Sequence, residues 1–166
     1  MRTPTLFLAL TLALTACGGA TDPASMNDAG AKALNSGDYA GAATQFDAAL
    51  TAIGDDTANA QYQRAMWGFI EAGAHVDPAR AKDDFLAFAK ANSATMSAKE
   101  YSKVGTWLSS AGAYTEAVFV VDAGIQAYPE TPALLAMIEN IKADAAKAGD
   151  ADAASALEGL GYLGDD

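Results

Sequence analysis

The stretch GDYAGAATQFDAAL, beginning at Gly37, returns in altered form as GAYTEAVFVVDAGI at Gly112. Each copy carries glycine, tyrosine two residues later, alanine three beyond that and an apolar residue after four more. These are Gly37, Tyr39, Ala42 and Phe46 in one copy, and Gly112, Tyr114, Ala117 and Val121 in the other. A pattern that recurs at fixed internal spacing restricts the fold to stacked copies of one supersecondary unit, because each copy must bury its apolar face against a neighbour. Spacings of three and four follow one face of a helix, and no segment has the convincing period-two alternation of a strand.

Helix start signals divide the chain between these copies. Asp22-Pro23, Asp77-Pro78 and Thr131-Pro132 each place an N-cap residue before a proline at the first helical position, and Ser97-Ala98-Lys99-Glu100 has the form of a capping box. Together with the periodicity they predict eight helices, over 23–36, 39–53, 58–73, 78–91, 98–110, 113–128, 132–148 and 151–160. The expected fold is all-α. An alanine-rich chain with only 8% aromatic residues agrees, since alanine has the highest helix propensity.

At this point the sequence resembles the tetratricopeptide repeat, a helix-turn-helix unit of about 34 residues. The best copy has Tyr101, Val104, Gly105, Leu108, Ala117, Val121, Gly124 and Pro129 at the eight signature positions, with Val121 in place of the usual aromatic and Gly124 in place of the usual alanine. The first copy runs through Met26, Ala29, Gly30, Ala33, Ala42, Phe46, Ala49 and Gly54. A middle copy runs through Arg64, Trp67, Gly68, Glu71, Ala81, Phe85, Phe88 and Ser93, with one extra residue in the turn near His75.

The resemblance implies a right-handed superhelix of about three to four helix hairpins over 22–166, closed by a C-terminal cap. Gly30, Ala42, Phe46, Gly68, Phe85, Gly105, Ala117 and Pro129 are then structural: small residues let paired helices approach, and the aromatic wedges between neighbouring repeats. It also implies a concave wall built from the first helix of each hairpin, which receives a peptide or partner helix. Tyr62, Phe69, Lys99, Lys103, Thr106 and Ser109 fall on or near that wall. Lys99 and Lys103 match positions of a clamp for C-terminal carboxylates, whereas Asn27 and Ala31 depart from the residues that such a clamp requires. Lys103 also stands three residues from Glu100, within ion-pairing distance on a helix.

The N-terminus constrains location. Arg2 precedes an uncharged run from Thr5 to Ala16, which as a helix would cover about 18 Å, well short of a hydrocarbon core of roughly 30 Å, so the run suits a signal peptide better than a membrane span. The chain's single cysteine follows directly, and Leu14-Thr15-Ala16-Cys17 resembles the lipobox of bacterial lipoproteins. That resemblance implies cleavage after residue 16, diacylglycerol on the Cys17 thiol with a further N-acyl chain where the pathway is complete, and a short tether over 17–21. Gly18, rather than aspartate, after the cysteine favours the outer membrane, facing the periplasm, in a source with two membranes.

Composition removes other classes. Ten basic against 21 acidic residues give a net charge of −11, which repels nucleic-acid phosphates and anionic lipid headgroups, so membrane contact is expected through lipid alone. One cysteine permits no internal disulfide and no cysteine-based zinc site. His75, the only histidine, sits in an expected turn, and the adjacent pairs Asp55-Asp56 and Asp83-Asp84 lack the spacing that brings two carboxylates to one helix face. No catalytic arrangement, metal site or cofactor beyond the acyl anchor is expected. The sequence reads as an adaptor lipoprotein that binds a protein or peptide partner in envelope assembly or secretion, the alternative being a carrier of a small apolar ligand in the groove.

Overall fold

A computed structural model describes residues 22–163; Cys17 and its lipobox lie outside the described residues. Eight helices are present there, and no strand: α1 (Pro23–Asn35), α2 (Tyr39–Ile53), α3 (Tyr62–Val76), α4 (Pro78–Ala91), α5 (Ala98–Ser110), α6 (Tyr114–Ala127), α7 (Pro132–Ala148) and α8 (Ala151–Gly159). They form four consecutive hairpins, the all-α arrangement of a helical-repeat superhelix. The first helices touch in series, α1 to α3 to α5 to α7, and the later second helices do so from α4 to α6 to α8.

Local chemistry sets the boundaries. Asp22 accepts from the Ala24 and Ser25 amides, Asp77 from the Arg80 amide and Asp150 from the Ala153 amide, so carboxylates satisfy N–H groups that the first helical turn leaves free. Ser97 and Glu100 complete the capping box. Gly37 and Gly112 both adopt left-handed φ, 77° and 79°, at equivalent hairpin turns of the two similar stretches.

Only α3 departs by more than a residue from its expected span, starting at Tyr62 instead of 58 and ending at Val76 instead of 73. Its start is delayed because the Asn59 side chain accepts from the Gln61 amide while Asp55 and Asp56 carbonyls accept from Thr57 and Asn59, a local turn that competes with helix. Its end is extended because Gly73 is a packing site and not a cap: a Cβ there would stand 3.1 Å from Ala81 Cβ. The extra residue of the middle copy is absorbed by that lengthened helix.

Helix pairing rests on small residues facing large ones. The Phe46 ring of α2 lies between Gly30 of α1 and Gly68 of α3; a Cβ on Gly30 would approach it to 2.8 Å, and one on Gly68 would overlap it outright. Phe46 therefore joins its own hairpin to the next. Gly105 of α5 accepts Val121 of α6 in the same manner, a Cβ there meeting Val121 Cγ2 at 2.6 Å and Met137 Cε at 3.0 Å. Ala42, Ala117 and Phe85 are fully buried, and Phe85 of α4 packs edge-on against Tyr101 of α5. Pro129 lies exposed in the turn before α7, where Tyr128 donates from its hydroxyl to the Met96 carbonyl at 2.7 Å.

The interior is not one continuous core. Phe46, Phe69, Ala42 and Ala72 form a cluster between α2 and α3, whereas a larger cluster runs from Ile70 and Phe85 through Val121 to Leu157. The larger cluster ends at a latch. Tyr162 donates to Asp122 of α6 at 2.8 Å, and its carbonyl accepts from Lys142 of α7 at 3.3 Å.

Burial and the Asp122 contact push the Tyr162 hydroxyl up to about 12, above the roughly 10 of an exposed tyrosine. The folded state holds this proton more tightly than the unfolded chain does, so the contribution is complete below pH about 10 and is lost as pH rises toward 12. Tyr162→Phe should flatten the fall of melting temperature across that interval. Tyr101, also pushed up by burial, leaves a residual slope. An unchanged alkaline slope in the variant would exclude the latch as its source.

Candidate functional site

Four of the residues expected to bind a partner lie on α5. Lys99, Lys103 and Thr106 are exposed on α5 and Ser109 is half-buried. The Thr106 hydroxyl donates back to the Ser102 carbonyl at 2.8 Å, as serine and threonine hydroxyls on helices commonly do.

Lys103 does not form the anticipated pair with Glu100. That carboxylate accepts from the Ser97 amide at 2.9 Å and from its hydroxyl at 2.6 Å, which holds it below the usual carboxylate range and turns it toward the helix start. The Lys103 ammonium lies 4.5 Å from the centroid of Trp107, one turn on along α5, and 4.9 Å from that of Trp67 on α3. The two indoles meet edge to face at 6.3 Å. An ammonium held by two ring faces gains a cation–π attraction while keeping water on its open side.

Phe69 is buried, which corrects its expected place on the exposed wall, and Tyr62 packs toward α4. Phe69 is only 7% exposed and packs with Ala42, Phe46 and Ala72, with the Arg80 guanidinium 4.8 Å from its ring. Tyr62 is half-buried and tilts against Phe88 of α4 at 6.5 Å. The cause is the orientation of α3. Gly68 must face Phe46, and Asn27 of α1 donates from its side chain to both the Gln61 carbonyl and Gln61 Oε1 at 3.1 Å, so Tyr62 and Phe69 are turned away. Arg64 and Trp67 take the places between neighbouring first helices: Arg64 pairs with Asp28 of α1 at 2.7 Å, and Trp67 meets α5.

Trp107, missed as a candidate, carries a signal in the sequence, since Lys103 and Trp107 are four apart on one helix and therefore neighbours on its surface, whereas Trp67 carries none. Trp67 packs on Phe85 and Phe88 as core periodicity predicts, yet it remains half-buried with a face left to Lys103. Fully buried Asn27 is sealed between helices, which excludes it from a carboxylate clamp. His75 stacks on Tyr39 at 3.7 Å with rings nearly parallel, fixing the end of α3 against the start of α2. Among the described residues, no three His, Cys, Asp or Glu side chains are grouped to hold a metal ion, and no helix is long and apolar enough to cross a membrane.

Comparison with known proteins adds no assignment: no family model, no curated protein and no solved structure matches the chain.

Proposed function

We propose that this chain is a lipid-anchored helical-repeat adaptor of the bacterial envelope, held to its membrane through an acylated Cys17 and binding a segment of an envelope protein along the wall of first helices. One observation carries the binding face. On a body of net charge −11, Lys99 and Lys103 stand together on one exposed helix, and Lys103 is braced by two indoles with no salt bridge to a described carboxylate. Such a patch attracts an acidic or C-terminal stretch, while the surrounding acids repel other anions. Thr106 and Ser109 add hydroxyls beside it. The anchor rests on the lipobox resemblance of Leu14-Thr15-Ala16-Cys17.

The carrier reading needs an apolar chamber. The most apolar described cavity, between α7 and α8 and lined by Ala145, Leu157 and Leu163, measures about 180 Å³. Sites for drug-sized apolar ligands start near roughly 300 Å³, so this chamber does not suit such cargo and the adaptor reading is preferred.

A photocrosslinking amino acid at Thr106 should capture a partner in intact cells, whereas one at exposed Phe119 on α6 should not. Lys99→Glu with Lys103→Glu should remove the crosslink at Thr106 and, through loss of two cation–π contacts, lower stability by about 1 to 2 kcal/mol without unfolding the protein, with capture by the parent protein weakening as salt rises. Undiminished capture by a folded double variant would place binding on another face.

A further inference from the structure

The second helices do not form an unbroken row: α2 and α4 are not in close register, although α4, α6 and α8 are. The irregular segment before α3, together with α3 and α4, encloses a half-open cavity of about 280 Å³. Its walls include the rings of Tyr62 and Phe88, the thioether of Met66 and three polar side chains, Thr57, Asp84 and Asn92.

Only one lining residue is charged. Asn92 gives one side-chain N–H to the Phe88 carbonyl at 2.8 Å and keeps its second N–H and its Oδ1, and the Thr57 hydroxyl can donate or accept, so the carboxylate of Asp84 sets the sign of the site. Asp84 Oδ2 is buried and receives no hydrogen bond; its nearest cation, Arg80 Nε, stands 3.4 Å away in an ion pair, with that guanidinium drawn also to Asp47 at 3.5 Å and to the Phe69 ring. Burial pushes the Asp84 carboxyl up, against the opposing pull of Arg80. No basic side chain is among the described residues that line the cavity. A carboxylate beside two aromatic residues and a thioether suits a cation with an apolar body, since aromatic rings attract ammonium groups and a carboxylate gives the strongest hydrogen bond to one.

We infer that the cavity between α3, α4 and the segment preceding α3 binds an organic ammonium on a short apolar stem, with Asp84 as its counter-ion and Tyr62 and Phe88 around the stem. A free amine and a lysine side chain of a bound protein share this chemistry. The site is separate from the Lys103 wall, so it stands or falls independently of the adaptor reading.

The test uses the protein labelled at its methionine methyl groups, with the Met66 resonance assigned by Met66→Leu, and titrates benzylammonium, its neutral isostere benzyl alcohol, and lysine blocked at both backbone ends. Saturable Met66 shifts are expected with an ammonium probe, at least about tenfold tighter than with the alcohol, and weakened about tenfold or more by Asp84→Asn. Tighter binding of blocked lysine points to a protein side chain, and tighter binding of benzylammonium to a free amine; both support the site. Equal affinity for alcohol and ammonium, no saturable shift with either ammonium, or affinity unchanged in folded Asp84→Asn would each overturn it. The alcohol comparison needs no variant, so a misfolded Asp84→Asn would not shelter the inference.

Discussion

Phe46→Ala is expected to cost about 3 to 5 kcal/mol of stability, the range for truncating a buried aromatic. The site favours the upper part of that range. Phe46 is 2% exposed and occupies space that two glycines on two other helices leave open, so its loss empties a gap that neither Gly30 nor Gly68 has a side chain to fill. The change removes contacts within the first hairpin and between it and the second at once. Urea denaturation followed by helical circular dichroism would measure it, with a transition that broadens or splits as α1 and α2 detach from the larger cluster. A loss below about 1 kcal/mol would mean that the ring does not join the hairpins.

Cys17→Ser is expected to abolish lipid attachment. Serine lacks the nucleophilic thiol on which diacylglycerol is built, and cleavage of a lipoprotein signal depends on that modification, so the uncut precursor should accumulate. Because each buried CH₂ of an acyl chain contributes about 0.8 kcal/mol to membrane affinity, loss of two or three chains exceeds anything a net-negative body could recover through headgroup contacts. Metabolic labelling with a fatty acid distinguishes the outcomes. Label retained on the serine variant would refute the lipoprotein reading and leave the wall as a property of an unanchored protein.

Seven of the eight helices were legible to within a residue because their ends are written in side chains that act locally: Asp22, Asp77, Asp150, Ser97 with Glu100, and the glycines at Gly37 and Gly112. The third was misplaced because Gly73 looks like a stop signal, and only its contact with Ala81 reveals that it serves close packing. The exposure of Lys99, Lys103 and Thr106 on α5 was legible from the repeat frame, and the orientation of α3 was not. There the rotation depends on partners far away in sequence, Phe46 against Gly68 and Asn27 against Gln61, which no local period encodes. The pairing of Lys103 with Trp67 across two helices has the same origin, as does the cavity beside Asp84.

The division of the interior into two small clusters near the first hairpin, around Phe46 and around Ala49, and a long one beyond them has a mechanical consequence. Were the chain held at Cys17, any tension between membrane and partner would enter at Asp22, the N-cap of α1, whose neighbours are α2 and α3. The first hairpin would therefore bear the load before α5 does, and because Phe46 and Asn27 set the rotation of α3, its yielding would carry the tension on to Trp67 and so to the Lys103 patch.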